Sequence, residues 1–579
     1  MSGPGAGDVA LACMVQMADE LHRRGVRDAC VSPGSRSTPL VLALSRHGGF
    51  RLHVHLDERS AAFFALGLAR GRGEPVAVAA TSGTAVANWL PAAVEASHSR
   101  VPLLLLSADR PPEVRGTGAN QTIDQVGIFG SSVRWAVDAP VPEAGPRAAR
   151  RWRALAARAV QRSLTPVPGP VHLNLPFREP LVPSGAGVDV GPAPAASGPA
   201  APSWRARAAR PTDPRDTREL VQLVRATERG LVIAGGLDGD AAGRQGGAAL
   251  AEAAGWPLLA EPLSGLRTGP PALSCGSVLA ASAAWADRHP PDAVVQLGAT
   301  PTARGVLALA ARARRLVVMT PPGAEADPGR AAWLTVHGDP GMLAAGVARD
   351  VGRARRESSW LRDWCAADRR AAAAVSTWMA GLGEEPFEGR VAREVAACLP
   401  DGGLLFAGSS MPVRDLDSFM LPRRGLRVVG NRGASGIDGS VSTVLGLAAA
   451  GDPTCGLIGD LSLLHDAGAL LWSRGRSTGS AVLVVVNNGG GGIFDLLPGA
   501  ASLPERERLL AAPHGVDLAA LARAAGVPHR AAGRTSELAP AIRAGLAEGG
   551  VRMLEVPGDR RRNAELHAAC AAAVDRALR

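Results

Sequence analysis

Short apolar runs, each followed by a stretch with helical spacing, constrain the fold more than any other feature of this chain. The runs are rich in valine and leucine and lack the polar alternation of a strand with one solvent-facing side. Strands buried on both faces and separated by helices form parallel sheets. The predicted fold class is therefore α/β, with strands at 28–32, 52–56, 76–80, 101–106, 171–175, 230–236, 293–298, 316–320, 404–407, 427–429, 455–458, 481–486 and 553–556.

The distribution of these runs predicts three doubly wound parallel-sheet domains. A chain of 579 residues favours about three domains, at roughly 100–200 residues each. Residues 184–203 are mostly Gly, Ala, Pro and Ser, which is typical of a linker. A charged helical connector is predicted at 343–382. We therefore predict domains at 1–185, 204–345 and 380–579, with ligands at the carboxyl ends of their strands.

The charge balance indicates the kind of partner. The formal net charge is +10, and all 63 basic residues are arginine, spread along the chain without a basic tract. Aromatic residues are scarce, so the pattern does not favour nucleic-acid binding. Small anionic substrates are a better explanation for some of these arginines.

The sequence lacks the features that predict a membrane protein or a disulfide framework. No apolar run approaches the roughly 20 residues of a membrane helix. The first residues lack the basic-then-apolar layout of a signal peptide. The seven cysteines form no C-x-x-C pair, so reduced, buried thiols are expected. We expect a cytoplasmic protein that binds neither membrane nor nucleic acid.

Oxygen-bearing side chains follow two of the predicted strands in the last third of the chain. Asp460 comes after the strand at 455–458, and Asn488 comes after the strand at 481–486. Either alone is more typical of a turn, but together they could meet on one magnesium ion, which prefers oxygen ligands and often also binds phosphate. The glycines that follow Asn488 allow a close backbone approach. Leu461 and Ser462 open a predicted helix, whose N-terminus favours phosphate.

An acidic pair, Asp57 and Glu58, ends the predicted strand at 52–56 and precedes an alanine-rich helix. One interpretation is structural: Asp57 caps the helix, and Glu58 favours its N-terminus. The other is functional, because a carboxyl group at a strand end can act in acid–base chemistry.

Longer segments carry a family resemblance. Gly-Asp at 459–460, a gap near 30 residues and Asn-Asn at 487–488 resemble the motif of thiamine diphosphate enzymes. Within that family, five segments resemble the 2-succinyl-5-enolpyruvyl-6-hydroxy-3-cyclohexene-1-carboxylate synthases of menaquinone biosynthesis: 31–40, 107–113, 118–124, 430–439 and 487–494. The resemblance is close in the first and last thirds and loose in the middle. It implies a thiamine-diphosphate-binding fold with transferase (carboligase) activity.

The resemblance also implies the cofactors and the residues that hold them. Thiamine diphosphate would bind with Mg²⁺, for which Mn²⁺ is an alternative. The metal ligands would be Asp460, Asn488 and the main-chain carbonyl of Gly490. Glu58 would contact N1′ of the aminopyrimidine and promote loss of the thiazolium C2 proton, and we expect it to lie in an apolar pocket. The remaining cofactor contacts would be Ile437, which keeps the cofactor bent, Leu461, Ser462, Ile493 and Phe494.

The implied substrates are 2-oxoglutarate and isochorismate, which are both dicarboxylates. Arginine binds carboxylates through a bidentate fork. Four arginines lie in turns at predicted strand ends, in the first and last thirds of the chain where the resemblance is close, although any one of them alone is more typical of a solvated surface. With three neutral side chains, they complete the implied catalytic set around Glu58: Arg36, Arg110, Arg414, Arg432, Ser35, Gln121 and Ser410.

The resemblance further implies a homodimer or a dimer of dimers, with Glu58 and the diphosphate site on different subunits. One departure from the family concerns a lysine often present in the middle domain. This chain has no lysine, and Arg304 occupies the matching stretch. Either Arg304 replaces that lysine or the contact is absent.

Three alternatives stay open at this point. The nearest is another thiamine diphosphate carboligase or 2-oxo-acid decarboxylase, such as an acetolactate-synthase-like enzyme, although smaller and less charged acids would not need four arginines. A nucleotide-binding oxidoreductase or regulatory module has only the glycine turn at 233–236 in its favour. A catalytically silent homologue is disfavoured by the joint presence of Glu58, Asp460 and Asn488.

Overall fold

The polypeptide forms two compact units in this computed structural model. Unit 1 comprises Met1–Arg207, Asn431–Asp452 and His465–Gly479; unit 2 comprises Ala208–Gly430, Pro453–Leu464 and Ser480–Arg579. The structure describes residues 4–192, 214–237, 241–352, 358–473, 479–497, 499 and 502–579. Residues 193–203 of the predicted linker lie outside these ranges.

Unit 1 contains a parallel six-stranded sheet in the order β2-β1-β3-β4-β6-β5. Its strands are β1 Asp28–Val31, β2 Arg51–Val54, β3 Val76–Ala80, β4 Leu103–Asp109, β5 Trp135–Asp138 and β6 Val171–Pro176. The helices of this region are α1 Ala6–Arg23, α2 Thr38–Arg46, α3 Glu58–Arg72, α4 Thr84–Ala87, α5 Leu90–His98 and α6 Ala148–Leu164. Residues of α1, α2 and α6 pack with the sheet in one apolar core.

Unit 2 contains two parallel sheets, of which the first has five strands in the order β11-β10-β9-β7-β8. These strands are β7 Gly230–Ala234, β8 Leu258–Ala260, β9 Ala293–Leu297, β10 Arg315–Thr320 and β11 Ala332–His337. The accompanying helices are α7 Pro214–Ala226, α8 Ala241–Ala254, α9 Gly276–Ala281, α10 Ala283–Ala286, α11 Arg304–Ala311, α12 Pro340–Val351 and α13 Ser359–Ala380. The predicted connector at 343–382 is thus mostly helical, in α12 and α13.

The second sheet of unit 2 has six parallel strands in the order β13-β12-β14-β15-β17-β16. They are β12 Leu404–Ala407, β13 Arg427–Val429, β14 Thr454–Gly459, β15 Ser480–Asn487, β16 His529–Ala531 and β17 Gly550–Pro557. The helices of this part of the chain are α14 Glu388–Cys398, α15 Met411–Phe419, α16 Ser440–Ala449, α17 Asp460–His465, α18 Ala469–Trp472, α19 Leu518–Ala525, α20 Leu538–Glu548 and α21 Arg560–Leu578. Of these, α16 and α18 belong to unit 1.

The structure confirms the predicted α/β class with three parallel sheets. All thirteen predicted strands are present, with shifts of up to three residues at their ends. The prediction of burial on both faces is wrong for β2, an edge strand whose terminal residues Arg51 and Val54 are exposed. No helix within the described ranges is long and apolar enough to cross a membrane.

Helices α3 and α16 of unit 1 approach each other closely at two glycines. A Cβ at Gly67 would collide with the main-chain carbonyl of Thr443, and a Cβ at Gly446 would collide with that of Phe64. Glycine is required at both positions because only a hydrogen atom fits between the two backbones.

A buried histidine lies on β6, the strand between β4 and the edge strand β5 of the unit 1 sheet. His172 of β6 is 1% exposed, and its Nε2 lies 2.7 Å from the hydroxyl of Ser107 on β4. The ring of Phe129 packs edge-on against it, with 4.8 Å between centroids. Burial lowers the pKa of His172 from 6.5 to about 4, because the site cannot solvate an imidazolium. The folded protein therefore keeps this imidazole neutral at neutral pH.

We expect His172 to destabilise unit 1 as the solution is acidified. Its folded-state pKa lies below the unfolded value, so the unfolded chain binds the extra proton first, and stability falls as the pH drops from about 6.5 to about 4. The full loss is about 3 kcal/mol. Denaturant unfolding across this pH range should give a flatter profile for His172→Gln, whereas His98→Gln, at an exposed position, should keep the parent profile. Equal acid sensitivity in His172→Gln and the parent would refute this role.

Candidate active site

A carboxylate at the end of β14 organises the loop that follows β15. Asp460 is 2% exposed. Its Oδ2 accepts the main-chain N–H groups of Gly489 at 2.8 Å and Gly490 at 2.9 Å, and its Oδ1 accepts that of Leu461 at 2.6 Å. His514 Nε2 lies 3.2 Å from the same Oδ2. The carboxyl ends of the neighbouring strands β14 and β15 are therefore joined through one side chain.

Asn488 supplies an amide oxygen without a donor at this edge of the sheet. Its Oδ1 is buried and has no hydrogen-bond partner among the described residues. Its Nδ2 donates to Glu388 Oε1 at 2.7 Å. Gly490 has a φ of +143°, and a Cβ there would collide with the carbonyl oxygen of Ala511. The backbone therefore takes a path that only glycine allows.

The oxygen atoms of these residues fit a magnesium ion. A buried acceptor without a donor is costly, and a cation would satisfy it. The carboxylate of Asp460, the amide oxygen of Asn488 and the carbonyl of Gly490 are all hard oxygen ligands of the kind that Mg²⁺ takes. In this structure the Gly490 carbonyl also accepts the N–H of Gly492 at 3.0 Å.

Glu388, which accepts the Asn488 amide, belongs to a buried acidic cluster with Asp415 and His567. The sequence did not indicate this cluster. Burial and the nearby charge of Asp415 raise the pKa of Glu388 to about 7. His567 Nε2 lies 3.1 Å from Asp415 Oδ1. The pKa of His567 is raised by Asp415 and Glu388 against the opposing effect of its own burial. These residues are far apart in the sequence, and none belongs to a motif, so only the folded structure reveals the cluster.

Two predicted substrate arginines lie together in unit 1. Arg36 and Arg110 are 7% and 9% exposed. Arg36 donates to Glu179 Oε1 at 2.6 Å and to the carbonyl of Phe177 at 3.0 Å, while its buried Nε has no partner among the described residues. Arg110 donates to the carbonyl of Gln121 at 2.9 Å. Burial and the like charge of Arg36 lower the pKa of Arg110.

The neutral residues predicted for this part of the site occupy turns. Ser35 is exposed just before α2. Gln121 has a φ of +53°, which is uncommon for a residue with a side chain, and its Nε2 donates to the carbonyl of Ser82 at 3.0 Å. Such backbone strain is frequent at functional sites.

Glu58 is the first residue of α3, and both interpretations of the acidic pair fit the local geometry. Asp57 caps the helix, because its Oδ1 accepts the N–H of Arg59 at 2.8 Å and its Oδ2 accepts the Ser60 hydroxyl at 3.2 Å. Because Asp57 is the capping residue, the Glu58 carboxyl is not needed to cap the helix. Glu58 is half-buried, and the nearby Leu56 is 77% exposed.

Arg432 and Ile437 lie in the loop before α16, and both are half-buried. A residue that sequence analysis missed holds this loop. The carboxylate of Glu95, on α5, accepts the N–H groups of Gly433 at 2.9 Å and Ala434 at 2.7 Å. Glu95 is 2% exposed. A glutamate within an apolar helix and a loop about 340 positions away share no sequence signal.

Unit 2 contains a cavity of about 390 Å³ that is partly open to solvent, and its lining includes Arg304, Arg414 and Ile493. Ser410 precedes α15 with a φ of +72°, and its carbonyl accepts Arg414 Nη1 at 2.5 Å. The lining combines these two arginines with apolar side chains and also includes the carboxylates of Asp417 and Asp575, so it is a largely apolar cavity with a few charged groups. Phe494 does not line it, whereas its neighbour Ile493 does.

The predicted site residues divide between the two units. Within unit 2 the structure brings Asp460, Leu461 and Gly490 into direct contact and places Arg414 and Ile493 on one cavity. Ser462 is buried in α17, the helix that Asp460 begins. Unit 1 holds the others: Ser35, Arg36, Glu58, Arg110, Gln121, Arg432 and Ile437.

Three family models match consecutive parts of the chain. The N-terminal TPP-binding domain of thiamine pyrophosphate enzymes matches residues 14–128, the middle domain 200–407, and the C-terminal TPP-binding domain 413–556. The fold and the site therefore define a thiamine-diphosphate-dependent enzyme.

Similarity to curated proteins identifies the family within this class of enzymes. A 2-succinyl-5-enolpyruvyl-6-hydroxy-3-cyclohexene-1-carboxylate synthase of Thermobifida fusca is 44% identical over 97% of this chain and 98% of that protein. Synthases of the same name from Chloroflexus aurantiacus and Geobacillus kaustophilus are 42% and 40% identical, over 94% and 95% of this chain and 93% and 95% of those proteins. The chain belongs to the 2-succinyl-5-enolpyruvyl-6-hydroxy-3-cyclohexene-1-carboxylate synthase family.

Proposed function

We propose that this chain decarboxylates 2-oxoglutarate and adds the resulting succinyl unit to isochorismate, a carboligation in menaquinone biosynthesis. The observation that carries the choice of substrates is the buried pair Arg36 and Arg110. The charge of Arg36 contributes to lowering the pKa of Arg110, and the Glu179 side chain that pairs with Arg36 is itself 70% exposed. A bound carboxylate would add a negative charge beside the two guanidinium groups and could accept from Arg36 Nε, which has no partner among the described residues.

The cofactors would be thiamine diphosphate and Mg²⁺, or Mn²⁺ in its place. The bound thiazolium would stabilise the carbanion that carbon dioxide leaves behind. Asp460, Asn488 and the Gly490 carbonyl would hold the metal. Glu58 would hold a proton at the aminopyrimidine nitrogen, and Ile437 would shape the pocket. The remaining cofactor contacts would be Leu461, Ser462, Ile493 and Phe494.

The arginines would position the substrates. Arg414 and Arg304 line one cavity in unit 2, which supports a carboxylate site there and supports Arg304 as the replacement for the family's lysine. Arg36, Arg110 and Arg432 would bind the remaining carboxylates. The neutral hydrogen bonds would come from Ser35, Gln121 and Ser410.

We further propose a homodimer or a dimer of dimers with shared active sites. Glu58 is only half-buried and follows the exposed Leu56, so a second subunit would supply the apolar pocket around this carboxyl group. The domains would span 1–185, 204–345 and 380–579.

The test is an assay of carbon dioxide release and product formation, with thiamine diphosphate and Mg²⁺ present. We expect product from 2-oxoglutarate only when isochorismate is added, and no comparable turnover of pyruvate. An acetolactate-synthase-like enzyme would instead consume pyruvate. Product formed only from pyruvate would overturn the proposal.

A further inference from the structure

We infer that Glu388 is a positioning residue that fixes the side-chain orientation of Asn488. The inference rests on the proposed function, because it takes Asn488 as a ligand of the cofactor's metal. Asn488 Nδ2 donates to Glu388 Oε1 at 2.7 Å across 100 positions of the chain. The oxygen of the same amide is the buried atom without a partner in the described structure. The NH₂ group of this amide therefore donates to Glu388, and its oxygen is left to bind the metal.

The chemistry of the two side chains explains the orientation. An asparagine amide presents an oxygen on one side and an NH₂ group on the other, and rotation by 180° exchanges them. In its ionised form the Glu388 carboxyl only accepts hydrogen bonds, and its Oε1 accepts from Asn488 Nδ2 in this structure, so it holds the NH₂ group toward itself and leaves the amide oxygen facing away. Without that acceptor, the flipped amide would turn hydrogen atoms toward a cation. Groups that orient metal ligands in this way typically change metal affinity by about 10- to 100-fold.

Glu388 is itself held in place. It is 6% exposed at the start of α14, and its main-chain N–H donates to Asn563 Oδ1 at 3.3 Å. The helix start and this contact fix the backbone of Glu388, so its side chain extends toward Asn488 from a defined position.

A neighbouring residue pair provides a matched control. Asn487 Nδ2 donates to Glu555 Oε1 at 2.6 Å, which is the same contact one residue earlier in the chain. Asn487 ends β15 and is not a proposed metal ligand. Glu555 is half-buried, whereas Glu388 is buried. A general effect of removing a carboxylate that accepts from an asparagine amide would appear in both pairs, whereas an effect on ligand orientation would appear only at Glu388.

The experiment measures Mn²⁺ affinity in the presence of thiamine diphosphate, from the electron paramagnetic resonance signal of free Mn²⁺. We expect Glu388→Met to weaken Mn²⁺ binding by about 10-fold or more. Glu388→Gln, whose amide oxygen can still accept, should recover most of the affinity. Glu555→Met should bind Mn²⁺ like the parent. In an Asn488→Ala background, Glu388→Met should cause no further loss, because the amide it orients is gone.

The outcomes separate this inference from the proposed function. A folded Glu388→Met variant with parental Mn²⁺ affinity, or an equal further loss in the Asn488→Ala background, would overturn the positioning role. Glu388→Asp gives the same test if the methionine variant does not fold, because its shorter side chain cannot reach Asn488 Nδ2. A parent protein that binds no Mn²⁺ with thiamine diphosphate would instead overturn the proposed function.

Discussion

Glu58→Gln is expected to lower turnover by at least about 10²- to 10⁴-fold while thiamine diphosphate and magnesium still bind. The reason is that glutamine fills the same space but cannot exchange a proton with the cofactor's aminopyrimidine. Helix α3 should be unaffected, because its cap is the neighbouring Asp57. Steady-state turnover and calorimetric titration with thiamine diphosphate measure the two parts of this prediction.

Asp57→Asn is the matched control for Glu58→Gln. Asparagine caps helices about as well as aspartate, so this variant should keep both its fold and near-parental turnover. Near-normal turnover in Glu58→Gln would contradict the role proposed for its carboxyl group. A parallel loss in Asp57→Asn would point to the helix start as the cause.

Asp460→Asn is expected to weaken thiamine diphosphate binding in the presence of magnesium by at least about 100-fold. The variant removes the only carboxylate among the proposed metal ligands, and a metal ligand should matter more than the groups that orient it. It also replaces an oxygen that accepts the N–H groups of Gly489 and Gly490. Calorimetric titration with and without Mg²⁺ measures the loss.

Asp517→Asn serves as the control for Asp460→Asn. Asp517 caps α19 in the same unit by accepting the N–H of Ala520, a task that asparagine performs equally well. Its titration with thiamine diphosphate should match that of the parent. Unchanged cofactor affinity in Asp460→Asn would remove the basis of the proposed metal site.

The sequence predicts the central strands well and the sheet edges poorly. Strands such as β3 are continuous apolar runs because helices cover both faces of the sheet. The four missed strands are β5, β8, β11 and β16, and each lies at the edge of its sheet. Edge strands pair on one side only, so they can be short or half-exposed. β5, β11 and β16 have mostly half-buried or exposed residues, whereas β8 is apolar and buried but only three residues long.

In the site, too, residues marked by the local sequence pattern could be predicted, whereas contacts between residues far apart in the sequence could not. Asp460 and Asn488 could be found because each follows an apolar strand, and neighbouring parallel strands bring their ends together. The partners that hold such residues could not be found. Glu388 meets Asn488 across 100 positions, and Arg36 meets Glu179 across 143. These pairings depend on how the elements pack, which hydrophobic patterns alone do not specify.

The glycine contact between α3 and α16 has a consequence for how this enzyme can change. Glu58 is the first residue of α3, and the loop with Arg432 and Ile437 leads into α16. The two helices meet at Gly67 and Gly446, where no added carbon atom fits between the backbones. A shift of one helix at this contact would therefore require a matching shift of the other. New substrate preferences should therefore arise from side chains that line the unit 2 cavity, while the spacing across this junction stays constant.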